Sequence, residues 1–213
     1  MREYLLVLLA ACTAASGGDA PARLELDRPT LVRYHMQRHF SDLRDIERML
    51  LAGRLDDARA RAFLLTKTES DRGLDVFDQQ SLAVSRAAAA LVAAPSIPDA
   101  CRLEAQVAAK CAGCHVFVPK VLPLPAVPIT PDAQMARHAW AADRLWEGVV
   151  LADARRWRAG LDVFALTGTD RIQQLARDAL GSLEMHQDTI ETRATTYGEL
   201  LVACANCHAR SRK

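Results

Sequence analysis

The pattern C-x-x-C-H occurs twice in this chain of 213 residues, at positions 111–115 (CAGCH) and 204–208 (CANCH). The two copies stand 93 positions apart, and a second feature recurs before each of them. Residues 36–39 (MQRH) are repeated as residues 135–138 (MARH), with an offset of 99. A fold built on this chain must therefore accommodate a tandem repeat in which each half ends in two cysteines and a histidine.

The spacing within the pattern suits covalent attachment of haem. Two thiols separated by two residues can add to the two vinyl groups of a porphyrin, and the histidine that follows lies under the iron. A thioredoxin-type dithiol needs a βαβ context, which the sequence lacks, and a four-cysteine zinc site needs its pairs closer together. We therefore expect two covalently attached haem c groups. Their binding residues are Cys111, Cys114, His115, Cys204, Cys207 and His208, with the two histidines as iron ligands.

The remainder of each half has a helical pattern. Each half contains four apolar-periodic segments, and there is no alternating run of strand length. Gly53, Gly73 and Pro98 mark the connections of the first half, and Thr130 before Pro131 marks the start of the second. The predicted helices span 29–52, 54–68, 71–94, 98–114, 131–150, 152–166, 169–186 and 188–207. Between the halves, residues 119–130 and the following Pro131 hold five of the nine prolines, so we expect an extended linker there.

The position of the second motif restricts the class of haem protein. Only five residues follow His208, so a sixth iron ligand from the protein must precede the motif. This arrangement resembles the class II c-type cytochromes, such as cytochrome c′ and low-spin cytochrome c-556. The resemblance implies an all-α fold of two tandem antiparallel four-helix bundles, at 29–118 and 131–213. Each bundle would carry its motif at the end of the fourth helix and its distal residue on the first helix.

A histidine interrupts the apolar stripe of the first helix in each half. An imidazole buried there without a partner would be costly, whereas an iron facing it would satisfy its nitrogen. The sequence therefore predicts His39 and His138 as distal ligands. Met36 and Met135, one turn earlier on the same face, are the alternative that the resemblance supports, and five-coordinate iron is a third possibility. His35 is expected to be a surface residue.

The N-terminus predicts export. Residues 4–11 form an apolar run that is shorter than the roughly 20 residues a membrane-spanning helix requires, and it suits a signal sequence. Residues 9–12 (LAAC) resemble a bacterial lipoprotein signal. The resemblance implies removal of residues 1–11, lipidation of Cys12 and a tether at 12–28. It also implies a lipid anchor on the periplasmic side of a membrane, with the outer membrane favoured because Thr13 follows Cys12. An ordinary secretory signal is the alternative.

The charge balance and the saturated iron together indicate the class of function. Lys and Arg total 27 against 26 Asp and Glu, so we expect no nucleic-acid partner. Six-coordinate haems have no open site for a small-molecule substrate, which favours an electron carrier over an enzyme. The expected partners are redox proteins of the cell envelope, together with the membrane through the lipid anchor. The alternative is a five-coordinate protein that binds or senses a small gas such as nitric oxide. Cys101 is expected to be a small buried hydrophobe.

Overall fold

The computed structural model describes residues 28–67, 77–116, 123–128 and 134–211. The predicted export signal, Cys12, almost all of the tether and half of the predicted linker lie outside these ranges. Within them, the chain forms eight helices and no strand, which confirms the predicted all-α class. The helices are α1 (Arg28–Leu51), α2 (Leu55–Leu65), α3 (Asp78–Val92), α4 (Ile97–His115), α5 (Gln134–Val150), α6 (Ala154–Thr167), α7 (Asp170–Glu184) and α8 (Ile190–Ser211).

The helix ends lie close to their predicted positions where the structure describes them, and local capping explains two of them. Ser96 accepts a hydrogen bond from the backbone N–H of Asp99 at 3.3 Å, and Pro98 occupies the first turn of α4. Asp153 accepts one from the N–H of Arg155 at 2.9 Å and begins α6. None of the helices described is long and apolar enough to cross a membrane.

Consecutive helices lie side by side in each half. The contacts run from α1 through α2 and α3 to α4, and α1 also contacts α4. The same order of contacts links α5, α6, α7 and α8. Close approach of α5 and α6 depends on glycine, because a Cβ at Gly160 would lie 2.7 Å from the carbonyl oxygen of Ala141. Each half thus places the end of its fourth helix beside the start of its first.

The two halves also pack directly against each other, which the sequence did not predict. The contact between α4 and α8 is more extensive than any contact that α4 makes within its own half. Arg102, early in α4, pairs with Glu199 of α8 through Nε and Oε1 at 2.6 Å. Ile190, at the start of α8, shares a groove with Gly113 at the end of α4. The two helices are therefore antiparallel, and the halves share one hydrophobic core.

Gly198 provides a test of this contact. A Cβ at Gly198 would lie 2.9 Å from the Cα of Arg102, so Gly198→Ala must push α8 away from the α4 backbone. We expect the substitution to lower the free energy of unfolding by about 1–3 kcal/mol, measured by denaturant unfolding. Gly181→Ala on α7 is the matched control, because nothing lies within 4 Å of the added Cβ. The control should raise stability by about 0.5–1 kcal/mol, and equal effects of the two substitutions would contradict the α4–α8 packing.

Candidate haem sites

Both C-x-x-C-H motifs lie in the last turns of long helices. Residues 111–115 end α4, and residues 204–208 end three residues before the end of α8. Because helical positions i, i+3 and i+4 share one face, the two thiols and the imidazole of each motif lie on the same side of their helix. All four cysteines are free thiols of intermediate burial. Each helix end therefore offers two sulfurs and one imidazole to a group placed beside it.

The environment of the thiols argues against a redox-active dithiol. Burial raises the pKa of the Cys111 and Cys204 thiols to about 12, and it also raises the pKa of Cys114. Such thiols are almost wholly protonated at neutral pH, whereas exchange reactions require the thiolate. Addition to a vinyl group removes the ionisable S–H and leaves a thioether, which is well suited to burial. Cys101 is fully buried, as predicted, and burial raises the pKa of its thiol to about 12.

The single imidazole of each motif fits a haem iron better than a directly bound metal ion. In the described part of the chain, no group of three or more His, Cys, Asp or Glu side chains is arranged to hold a metal ion. A porphyrin supplies four nitrogen ligands of its own, so one imidazole on one side of the iron is all that the motif must provide. The donor set at the end of α4 and of α8 therefore fits haem c.

The candidate distal residues of the first half lie at the level of the first motif. Glu47 of α1 and Glu104 of α4 are electrostatic neighbours. Cys111 lies seven residues after Glu104 on α4. On α1, position 40, which is next to His39, lies seven residues before Glu47. Both Met36 and His39 are half-buried. His39 and Met36 thus lie on the helix turns that approach the first motif.

His35 is one residue that the sequence placed wrongly. It is only 7% exposed, and its ring lies against that of His39, with the centroids 3.9 Å apart. The prediction of a surface position failed because the apolar stripe was traced through His39, whereas His35 lies one turn earlier and also faces inward. The first helix therefore presents two imidazoles at the level of the first motif.

In the second half, the candidate ligands have different surroundings. The Nε2 of His138 lies 2.7 Å from the carbonyl oxygen of Thr167 at the end of α6. Because a carbonyl oxygen only accepts, Nε2 carries the proton and donates it. Ligation of iron through Nε2 therefore requires this hydrogen bond to break. Met135 is 63% exposed and makes no part of the core.

The apolar core is complete at one end of each half and incomplete at the end that carries the motif. On α1, Ile46 and Leu50 are fully buried, whereas Met36 lies only half-buried on the same stripe. On α5, Val149 is fully buried, whereas Met135 is exposed. A flat apolar group between the first and fourth helices at the motif end would extend the buried stripe in both halves.

A groove of about 400 Å³ lies beside α4, but on the wrong side for the thiols. It is lined in part by Gly113 and Val116 of α4, Gln80 of α3 and Ile190 of α8. Successive residues of a helix are rotated by about 100°, so positions 113 and 116 face away from Cys111. The groove is therefore separate from the face of α4 that carries the two thiols.

A buried polar cluster links the two halves, and the sequence reading missed it. Arg44 of α1 pairs with Glu47 through Nη1 and Oε2 at 2.6 Å, and it also pairs with Asp143 of α5. Trp146 of α5 lies edge-on to Phe40 of α1, with the ring centroids 4.7 Å apart. Arg44 and Asp143 are separated by 99 positions, the offset of the repeated MQRH and MARH segments. Equivalent positions of the two halves thus contact each other.

Glu104 lies at the centre of this cluster. It is fully buried, and neither of its carboxylate oxygens has a hydrogen-bond partner. The indole N–H of Trp146 and the hydroxyl of Tyr197 lie close to Glu104. Both groups are buried, and neither has a hydrogen-bond partner. Burial, followed by the charge of Glu47, raises the pKa of Glu104 well above its usual range. Burial also raises the pKa of Glu47. The sequence contained one signal for the position of Glu104, because this residue precedes Cys111 by two helical turns on the same face.

Comparison of the chain with protein-family models, with curated proteins and with solved structures found no match. The motifs and their placement at the ends of α4 and α8 are therefore the basis for any assignment of function.

Proposed function

We propose that this protein is a di-haem c-type cytochrome that carries electrons in the bacterial cell envelope. The observation that carries the proposal is the pair of C-x-x-C-H motifs, each with its thiols and imidazole on one face at the end of a long helix. Haem, when bound, supplies one-electron redox chemistry. The cysteines attach it covalently, and His115 and His208 bind the iron. The chain is exported, anchored through lipidated Cys12 and reduced or oxidised by envelope redox proteins.

In this proposal the chain consists of two tandem four-helix bundles, at 29–118 and 131–213. The contacts among α1 to α4 and among α5 to α8 support this division. The pairing of Arg44 with Asp143 supports a relation between the halves that is close to two-fold, because these residues occupy equivalent places in the repeat. Such packing holds the two haem-binding ends in a constant relation to each other.

The contribution of the protein is to hold the iron ligands in place. A rigid helix positions each imidazole, and burial of the haem between helices keeps water away and limits reorganisation when an electron arrives. Our proposed distal ligands are His39 and His138, with Met36 and Met135 as the alternatives. Two saturated irons leave no position for a substrate, which is why we propose a carrier and not an enzyme.

Binding of a small gas such as nitric oxide is the second candidate function. The observation that favours it is the hydrogen bond from His138 to the carbonyl of Thr167, because an imidazole engaged in this way leaves the sixth position of the iron open. Fast and complete binding of carbon monoxide by the reduced protein would support this candidate. Failure to bind carbon monoxide would support the electron carrier.

Haem content tests the proposal directly. After export in a cell that attaches haem c, the mass of the denatured chain should exceed that of the polypeptide by two haem groups. The double substitution Cys204→Ser/Cys207→Ser should reduce this to one, because the first motif remains intact. Cys101→Ser is the control, and it should retain two haems because Cys101 belongs to neither motif. A wild-type chain without covalent haem would contradict the proposal.

A further inference from the structure

We propose that Glu47 and Glu104 together form a proton-binding site that is linked to the redox state of both haems. This inference rests on the proposed function and deepens it, because it makes the protein a carrier of protons as well as electrons. The observation behind it is the buried cluster at the junction of α1, α4, α5 and α8, in which Glu104 has no hydrogen-bond partner.

The cluster lies between the two haem-attachment ends. Glu104 precedes Cys111 by seven residues, and Tyr197 precedes Cys204 by seven, which is about 10 Å along each helix. Because α4 and α8 are antiparallel, the two motifs lie at opposite ends of this helix pair with Glu104 near its middle. Two turns of helix also place each of these side chains on the same face as its motif. A charge at Glu104 therefore acts on both haem sites over similar distances.

The charged and titratable groups around Glu104 leave it without a cation of its own. The groups that face the cluster are Arg44, Glu47 and Arg48 on α1, Asp143 on α5, Tyr197 and Cys204 on α8, and Cys101 and Cys111 on α4. The side of α4 that faces α3 is the opposite one, where a Cβ at Gly113 would lie 3.6 Å from Gln80. Arg44 is the cation that acts on Glu104, and it already pairs with Glu47 and Asp143. Arg48 acts on Glu47 and is itself paired with Asp45.

This charge distribution favours one bound proton shared by the two glutamates. An ionised carboxylate without a hydrogen bond or a counterion is costly to bury, and two neighbouring carboxylates cannot both ionise easily. Burial accordingly raises the pKa of both glutamates. Trp146 and Tyr197 are near enough to donate to the oxygens when the second carboxylate ionises.

Electron transfer changes the affinity of this site for a proton. When a reduced partner donates one electron and a ferric haem becomes ferrous, the protein gains one negative charge. The carboxylate then binds one proton from solvent, forming an O–H bond, and the net charge returns to its starting value. In the pH range where this occurs, the midpoint potential should fall by up to about 59 mV per pH unit, which corresponds to the tenfold change in proton concentration for one electron. Below and above that range the potential should not depend on pH.

Potentiometric titration of the haem-loaded full chain from pH 5 to pH 9 is the first test. We expect the wild-type potentials to fall with rising pH over part of this range. Glu104→Gln keeps the shape of the side chain but cannot ionise, so its potentials should be independent of pH in that range. Glu184→Gln is the matched control, because Glu184 is exposed at the end of α7, and it should behave as the wild type.

Redox-difference infrared spectroscopy gives a second readout that does not depend on the potential. A signal of a protonated carboxyl group should appear on reduction of the wild type and be absent from Glu104→Gln. Wild-type potentials that do not vary with pH would overturn this inference while leaving the electron carrier intact. The same pH dependence in Glu104→Gln and in the wild type would also overturn it. A chain without covalent haem would overturn both proposals.

Discussion

Replacing His39 by Ala should make one of the two haems bind carbon monoxide. If His39 is the sixth ligand, Ala leaves that position open, and the affected haem changes from low-spin to high-spin in the reduced state. His138→Ala should do the same for the second haem, and the double variant for both. The expected stoichiometry is therefore zero carbon monoxide per wild-type chain, one in each single variant and two in the double variant, measured by optical titration of the reduced protein.

Met36→Leu and Met135→Leu are the controls for this prediction. Both methionines lie one turn before the histidines, so loss of a methionine ligand would open the same positions. The controls should retain six-coordinate spectra. Low-spin spectra that are unchanged in the histidine variants would eliminate His39 and His138 as ligands. In the second half, ligation by His138 through Nε2 also requires release of the Thr167 carbonyl oxygen.

Arg44→Met should lower the free energy of unfolding by about 3–5 kcal/mol at neutral pH. Arg44 is mostly buried and supplies the positive charge beside Glu47, so its removal leaves a buried carboxylate unpaired. The cost should shrink as the pH falls. A glutamate whose pKa is raised in the folded state binds more protons in the folded chain than in the unfolded chain. The stability that this bound proton contributes is therefore lost as the pH rises through the folded-state pKa. Denaturant unfolding at a series of pH values measures the effect.

Two further variants show whether charge is the cause. In Arg44→Met/Glu47→Leu no unpaired charge remains at these two positions, so most of the lost stability should return. Arg54→Met removes an exposed partner, because Arg54 and Asp57 are both largely in solvent and 3.5 Å apart. That control should cost less than about 1 kcal/mol at any pH. An equal loss in the single and double variants would mean that Arg44 acts through packing alone.

Burial along α1 and α5 follows the apolar pattern of the sequence over part of each helix only. Ile46, Leu50 and Val149 continue the apolar stripes of α1 and α5, and all three are buried, because each helix buries one continuous face in its own half. Periodicity also predicted burial of Met135, which is exposed, because the stripe continues beyond the point where neighbouring helices cover it. The length of a buried stripe depends on those neighbours, and a single helix carries no information about where they end.

The polar cluster illustrates a second limit. Arg44, Glu47 and Asp143 read in the sequence as ordinary charged residues of amphipathic helices, which usually face solvent. They are brought together because α4 packs along α8, which draws α1 and α5 towards each other. Contacts between positions almost 100 residues apart leave no local pattern, so burial of these charges was not predictable from spacing.

The sequence by itself determined the helical class, the helix ends that capping residues and prolines specify, and the location of two Cys-Cys-His groups at the ends of helices. These features depend on interactions within a few residues of one another, so they are readable along the chain. Only the tertiary structure decided that the two halves share a core and that His35 is buried. It also decided that Glu104 lies unpaired between the two motifs. These facts follow from the packing of one half on the other, which depends on how whole helix surfaces fit together.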